Sequence, residues 1–385
     1  MYEEELESIE KEGMLRTLRS LPACGGKFCW NGKEILNFSS NDYLNLAGDP
    51  RLKARAKQAI EQWGCGATAS RLMSGHLVVH EELEVDLARM VGGESSLVFG
   101  SGFLCNLGVL TSLVARDGAI FADRLNHASL IDGSRLSGAK LHRYRHRDMN
   151  HLEHYLARDK STGQRLIVSD SVFSMDGDVA PLRDLFDLTH RYDALLVIDE
   201  AHAIGVMGHR GGGVWQALNS KGRPDVIVGT MSKALGSYGG FAVCSAAMRS
   251  YLINRARSFI YSTAIPPACA ASACAAIMII ETTPDLGKRL LSKAKLLRDG
   301  LVHAGLEVPE PESQIIPICV GEASKTLDFS QELLREGILA AAVRPPTVPP
   351  GTSRLRLSVT LAHTDQDIEQ AAVKIGQAAR SVGAV

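Results

Sequence analysis

Five short apolar runs, each closed by turn residues, limit what this chain can fold into: Ser96-Leu-Val-Phe99, Ala119-Ile-Phe121, Leu166-Ile-Val168, Leu195-Leu-Val-Ile198 and Val226-Ile-Val228. Runs that are apolar throughout, instead of alternating with polar residues, belong to strands covered on both faces. Such strands occur in mostly parallel sheets whose crossover helices shield them. An α/β domain is therefore expected. Helical stretches fall between the runs, around His80 to Val91 with an apolar face of Leu83, Val85, Leu87 and Met90, and around Leu182 to Arg191. The alanine-rich run Ala264 to Ile280 contains Pro266 and Pro267. That leaves too little continuous helix to span about 30 Å of hydrocarbon, and it reads as a buried helix opened by proline.

After this helix the pattern changes. Leu286 to Gly305 is charged and amphipathic, Ile315 to Val320 reads as a strand, and a last helix is expected from about Thr364. A chain of 385 residues has room for two or three domains. The expected division is an N-terminal helix and β arm over residues 1–45, a large α/β domain over 46–281 and a smaller α+β domain over 282–385.

Charge and cysteines exclude several functions. With 42 Lys and Arg against 43 Asp and Glu, the formal charge is −1. The chain has no cationic excess to neutralise nucleic acid or an anionic membrane, and neither is an expected partner. The segment Met1 to Glu12 is acidic and lacks the basic-then-apolar order of a signal peptide, which predicts a cytoplasmic protein. Eight cysteines form no C-x-x-C pair. The spacing shared by Cys24 with Cys29 and by Cys269 with Cys274 matches no four-ligand zinc pattern, so buried free thiols are expected. His142, His146, His151 and His154 lie among Arg143, Arg145 and Arg147, whose charge repels a cation. They read as a solvated connection with no metal.

In an open α/β sheet, ligands sit beyond the carboxyl ends of the strands. The turn Phe99-Gly-Ser-Gly-Phe-Leu-Cys-Asn106 leads into a helix whose free amides suit a phosphate, although Cys105 replaces the third glycine of a dinucleotide fingerprint. On its own this turn is equally well structural. Asp199, Glu200 and His202 follow the fourth run, and Thr230, Ser232 and Lys233 follow the fifth. Alone, the aspartate reads as a cap and the lysine as a solvated charge. Together they match the needs of pyridoxal 5′-phosphate: an amine for its aldehyde, an acid for its ring nitrogen and donors for its phosphate. Lys233, Asp199 and the group Gly102, Phe103 and Thr230 meet these in turn. His202 is placed to hydrogen-bond the ring oxygen, and His127 to stack on the ring and assist proton transfer.

These residues lie within longer motifs: Asn37-Phe-Ser-Ser-Asn-Asp-Tyr-Leu44, Ser70-Arg-Leu-Met-Ser-Gly75, Val172-Phe-Ser-Met-Asp-Gly-Asp178, Asp199-Glu-Ala-His202, Gly229-Thr-Met-Ser-Lys233, Arg344-Pro-Pro-Thr-Val-Pro349 and Arg354-Leu-Arg356. With them, essentially the whole chain resembles the α-oxoamine synthase family of fold-type I pyridoxal phosphate enzymes. The resemblance implies a mostly parallel central sheet, a smaller C-terminal domain and a homodimer, with Thr263 a candidate contributor across the interface. Arg344-Pro-Pro-Thr347 and Phe259-Ile-Tyr-Ser-Thr-Ala264 most resemble members that make a biotin precursor. Those members condense L-alanine with a pimeloyl thioester and release carbon dioxide and the thiol carrier.

The resemblance also implies roles. Lys233 is the cofactor lysine, Asp199 the partner of the ring nitrogen, and His202, Ser174 and Thr230 cofactor contacts. Gly102 and Phe103 face the phosphate and His127 the ring. Asn41 and Thr347 lie near substrate, and Arg344 takes the amino-acid carboxylate through its planar fork. An N-terminal arginine also contacts substrate, with Arg16 favoured over Arg19. Asp170 stands where relatives have a glutamate, which shortens an acid implied to orient substrate. Arg354 and Arg356 are read as a pair on one strand face. The competing readings are a glycine-using member of the family, an aminotransferase of the same fold and a non-catalytic binding protein.

Overall fold

The computed structural model describes residues 1–23, 25–218 and 222–384. Its contacts divide the chain into two compact units. One comprises Leu46–Phe173 and Val179–Gly287, and the other comprises Met1–Asn45, Ser174–Asp178 and Lys288–Val385. The N-terminal arm is thus not a body of its own but folds with the C-terminal segment, and the chain passes to that segment at Lys288 instead of near Thr282.

The larger unit is built on a seven-stranded sheet. Its strands in chain order are β1 (Ser95–Phe99), β2 (Ala119–Asp123), β3 (Lys140–Tyr144), β4 (Arg165–Asp170), β5 (Leu195–Asp199), β6 (Val226–Thr230) and β7 (Gly240–Cys244). The spatial order is β1-β7-β6-β5-β4-β2-β3. Only β7 runs against its neighbours. All five apolar runs are strands. Two further strands, β3 and β7, lie outside the runs read as strands, although β7 carries the apolar run Phe241-Ala-Val-Cys244. β3, Lys-Leu-His-Arg-Tyr, lies at the sheet edge and stays half exposed, while β7 begins on a glycine that reads as a turn.

The core fills the space between sheet and helices. Leu97, Ile120, Val168, Val197 and Val228 from the strands meet Val109 and Leu110 of the helix Gly102–Leu113. Ser101 caps that helix by accepting from the Leu104 amide at 3.2 Å, a bond worth about 1 kcal/mol. The helix Pro267–Thr282 opens with proline in its first turn, as its sequence predicts, and buries its alanines against the helix Pro50–Trp63. Among the described residues no single helix is long and apolar enough to cross a membrane.

In the smaller unit, the arm strands Lys27–Trp30 and Lys33–Asn37 pair with each other, and the second pairs with Ile338–Leu339. The strand Ser353–Ser358 lies between Ile315–Gly321 and Ala341–Val343. The final helix, Asp365–Ser381, starts on a capping box in which Thr364 and Asp367 exchange side-chain and backbone bonds. The seven described cysteines are free, but only Cys105 and Cys244 are fully buried. Cys29, Cys65 and Cys319 are exposed, and Cys24 lies outside the described residues.

Candidate active site

Lys233 sits on a short loop between β6 and the returning β7. Thr230, the last residue of β6, donates through Oγ1 to the Gly239 carbonyl at 2.9 Å, and the Met231 amide donates to that same carbonyl at 2.9 Å. A third bond, from the Gly236 amide to the Lys233 carbonyl at 2.9 Å, closes the turn behind the lysine. Gly239 has φ 123°, and a side chain there would drive into the Met231 methyl at 2.4 Å. The turn therefore requires glycine. Lys233 Nζ reaches His202 Nε2 at 2.9 Å. A protonated lysine only donates, so in that state Nε2 is the acceptor.

Asp199 closes β5 and is 5% exposed. Its Oδ1 accepts from the Ala201 amide at 2.9 Å and its Oδ2 from Asn106 Nδ2 at 2.6 Å. Asn106 also donates to Ser129 Oγ at 2.9 Å, and Ser129 Oγ lies 2.7 Å from His127 Nδ1. Asp199, Lys233 and His127 are close enough to influence one another electrostatically. Burial is the largest effect on His127 and lowers its pKa, while Asp199 opposes and Lys233 reinforces that shift. Phe103 meets the His127 ring edge-on, with centroids 6.5 Å apart.

Asp170 is the last residue of β4. Its Oδ2 accepts from the His127 amide at 2.7 Å, and its own amide donates to Asn126 Oδ1 at 3.1 Å. Burial, then the nearby Asp199 charge, push the Asp170 carboxyl well above the usual range. Its visible contact is thus with the backbone that presents His127. Sequence reasoning missed Asn106 and Ser129. Both lie inside the first two turns of helices, past the caps Ser101 and His127, and only the folded chain shows what they face.

At the phosphate end, Gly102 begins its helix beside Thr230. A methyl group added to Gly102 would touch Thr230 Cβ at 3.5 Å, and one added to Gly240 would strike the Ser101 carbonyl carbon at 2.4 Å. This close approach brings the ends of β6 and β7 to the helix start, where the first amides have no carbonyl one turn earlier to bond. The donor set therefore fits pyridoxal 5′-phosphate: a lysine amine, a buried hydrogen-bonded aspartate and a helix N-terminus beside a threonine hydroxyl.

The remaining predicted residues belong to the smaller unit. Arg356 is 6% exposed, and its Nη2 donates to Asn41 Oδ1 at 3.2 Å and to Tyr43 Oη at 3.3 Å. Its Nη1 donates to Ser358 Oγ at 2.7 Å, and its Nε donates to the Ser174 carbonyl. Arg354, on the same strand face, pairs with Asp176. Arg344 donates to the Gly13 carbonyl and, at 2.9 Å, to that of Leu15. Thr347 is exposed, and its amide donates to the Arg344 carbonyl at 3.1 Å. Arg16 Nη2 donates to the Pro345 carbonyl at 3.1 Å, whereas the Arg19 cation lies over the Trp30 ring at 5.9 Å. Of these two arginines, the fold brings Arg16 to the Arg344–Thr347 turn. Burial and the Arg16 charge both lower the Arg344 pKa.

Comparison with known proteins places this geometry. A family model described as aminotransferase class I and II matches residues 33–375. The 8-amino-7-oxononanoate synthase of Citrifermentans bemidjiense is 45% identical, covering 100% of this chain and 99% of the relative. The synthase of Geobacter sulfurreducens is 44% identical, covering 99% of this chain and 98% of the relative. The chain belongs to the 8-amino-7-oxononanoate synthase family. Among solved structures, a lysine-to-alanine variant of serine palmitoyltransferase from S. paucimobilis with a bound PLP–myriocin aldimine matches with a TM-score of 0.93 at 28% identity, over 100% of this chain and 98% of that one. The 8-amino-7-oxononanoate synthase of Francisella tularensis matches with a TM-score of 0.77 at 28% identity, over 90% and 98%. This member of the 8-amino-7-oxononanoate synthase family therefore has the type I fold of pyridoxal phosphate enzymes, uses that cofactor and is an acyltransferase.

Proposed function

We propose that Lys233, Asp199, His202, His127, Thr230 and the Gly102–Phe103 turn hold pyridoxal 5′-phosphate for the condensation of L-alanine with a pimeloyl thioester. The products are 8-amino-7-oxononanoate, carbon dioxide and the free thiol. The observation that carries this reading is the 2.9 Å contact between Lys233 and His202, in the same polar cluster as a buried, doubly hydrogen-bonded Asp199. When bound, the cofactor supplies an aldehyde that condenses with amines and a protonated ring that accepts an electron pair from the substrate carbon.

The chain's own residues do the rest. Asp199, which accepts from the Ala201 amide and from Asn106, would face the ring nitrogen of the cofactor. Lys233 would carry the cofactor and, once free, would take the Cα proton of alanine and return a proton after carbon dioxide has left. His202 orients the lysine and would meet the ring oxygen of the cofactor.

Recognition of the substrates is assigned to arginines. Arg356 is held in place by Asn41, the residue expected near substrate, and is the better candidate for the alanine carboxylate. Arg344 is engaged by the carbonyls of Gly13 and Leu15, and it stands beside Arg16. That pair, with Thr347 at the turn, suits the anionic end of the acyl substrate. We further propose a homodimer. Exposed Leu72, Met73 and Tyr261 flank the bridge between Ser70 and Thr263, an apolar surface of the kind that partners cover. Light scattering reads the mass directly, and a monomer at working concentration would refute the dimer.

The central test mixes the protein with alanine and pimeloyl-CoA and follows thiol release and product mass. Release with glycine but not alanine would move the chain to the glycine-using branch. A keto acid formed without thiol would make it an aminotransferase.

A further inference from the structure

We propose that Asn106 and Ser129 are positioning residues that fix the proton of His127 on Nε2 and tie that choice to the charge of Asp199. The proposal rests on the reading that His127 and Asp199 serve the cofactor, but the relay itself is a property of the chain.

The donors can be assigned without ambiguity. An ionised carboxylate has no hydrogen to give, so Asn106 must turn its NH2 group toward Asp199 Oδ2, 2.6 Å away. The second hydrogen of that group goes to Ser129 Oγ at 2.9 Å. Ser129, having accepted from Asn106, keeps its own hydrogen for His127 Nδ1 at 2.7 Å. The Ser129 amide also donates to Nδ1, at 3.2 Å. A nitrogen that receives two donors presents its lone pair, so the ring proton resides on Nε2. Asn106 is 1% exposed, and its Oδ1 has no partner among the described residues. Nothing there competes for the opposite orientation of the amide while Asp199 is charged.

Chemically, His127 then meets a ligand at its outer end as a hydrogen-bond donor and not as a base. This refines the proton-transfer role that the sequence suggests for it. The charged groups around the ring are Asp199, Lys233 and Asp132, and Asp170 holds its backbone amide. Burial lowers the His127 pKa and so favours the neutral imidazole, in agreement with the donor assignment.

The test uses the full-length protein labelled with ¹⁵N-histidine, with and without pyridoxal phosphate. Long-range proton–nitrogen correlation reads the tautomer, and His127→Gln identifies the signal. The Nε2–H form is expected in the parent protein. Ser129→Ala, which removes one oxygen atom, is expected to give a mixture of tautomers and to raise the His127 pKa by about one unit. Asn106→Ala should act in the same direction, and Ser129→Thr, which keeps the hydroxyl, should restore the parent signal. An Nδ1–H form in the parent, or an unchanged tautomer and pKa in Ser129→Ala, overturns the relay. If Asn106→Ala fails to fold by circular dichroism, the Ser129 pair decides alone. Lys233→Ala tests the cofactor reading separately. A covalent adduct that survives borohydride reduction in that variant would refute the cofactor assignment, while the tautomer in the cofactor-free chain would still report on the relay.

Discussion

Two groups of histidines in the larger unit show how the same side chain acquires or lacks chemistry. His142 stacks on Phe121 with centroids 5.1 Å apart and planes 6° apart, and it also meets Tyr155 at 4.9 Å. His146 lies 3.0 Å from Asp123 and edge-on to Phe173, while His151 Nδ1 accepts from the Arg145 amide at 2.9 Å. Each finds a local partner around the edge strand, and among the described residues no group of three or more His, Cys, Asp or Glu is arranged for a metal. His127 and His202 are no more polar, yet their neighbourhood includes an amine and a carboxylate at the ends of central strands. What separates the groups is the partner, and the partner follows from place in the sheet.

The largest effect that would break this contrast belongs to the amine. Lys233→Ala should lower turnover by on the order of 10⁴ or more, with the fold intact by circular dichroism. Full thiol release by that variant would remove the distinction altogether. Asp199→Asn, which keeps shape and removes charge, should cost roughly 10² to 10⁴ in kcat and shift the absorbance of the bound cofactor. Among the arginines, Arg356→Ala should raise KM for alanine by roughly 10- to 100-fold, and Arg344→Ala should act mainly on KM for the thioester. The reverse pattern would return the carboxylate to Arg344.

A third kind of histidine sharpens the comparison through pH. His363 is stacked on Phe38 at 4.2 Å, lies 3.1 Å from the Gly26 carbonyl through Nε2 and accepts from the Thr360 amide at 3.2 Å. Burial, the largest effect, brings its pKa down to about 4. A base with a depressed folded pKa binds its proton less well folded than unfolded. Its contribution is therefore complete above pH 6.5, the unfolded value, and is lost as pH falls toward 4. At most about 3 kcal/mol is involved. Urea midpoints should drop across that window in the parent protein and drop less in His363→Gln. The smallest effect is expected at the sheet edge: His154→Ala should change stability by about 0.5 kcal/mol or less and leave activity unchanged.

The parts legible in the sequence were those with a strong local signature. Uninterrupted apolar runs announced five of the seven strands in the large sheet, and the polar residues just after them announced Asp199, His202, Thr230 and Lys233. β3 was hidden because an edge strand does not need an apolar face toward solvent, whereas β7 carries a legible apolar run, Phe241-Ala-Val-Cys244, behind two glycines that read as a turn. Arg356 gave no local sign of its neighbours. Asn41 and Tyr43 lie more than 300 positions earlier and meet it only through the pairing of the arm with the C-terminal segment. Asn106 and Ser129 were illegible for a related reason. Their meaning is a direction of donation, which sequence spacing does not contain.

The turn that carries Lys233 has a kinetic corollary. Its two ends are fastened to adjacent strands, and its hydrogen bonds leave the backbone little freedom. In the role proposed for Lys233, the amine once freed from the cofactor would keep only the swing of its own four-carbon stem. It would therefore remain at a high local concentration for the next encounter, without any larger motion of the chain.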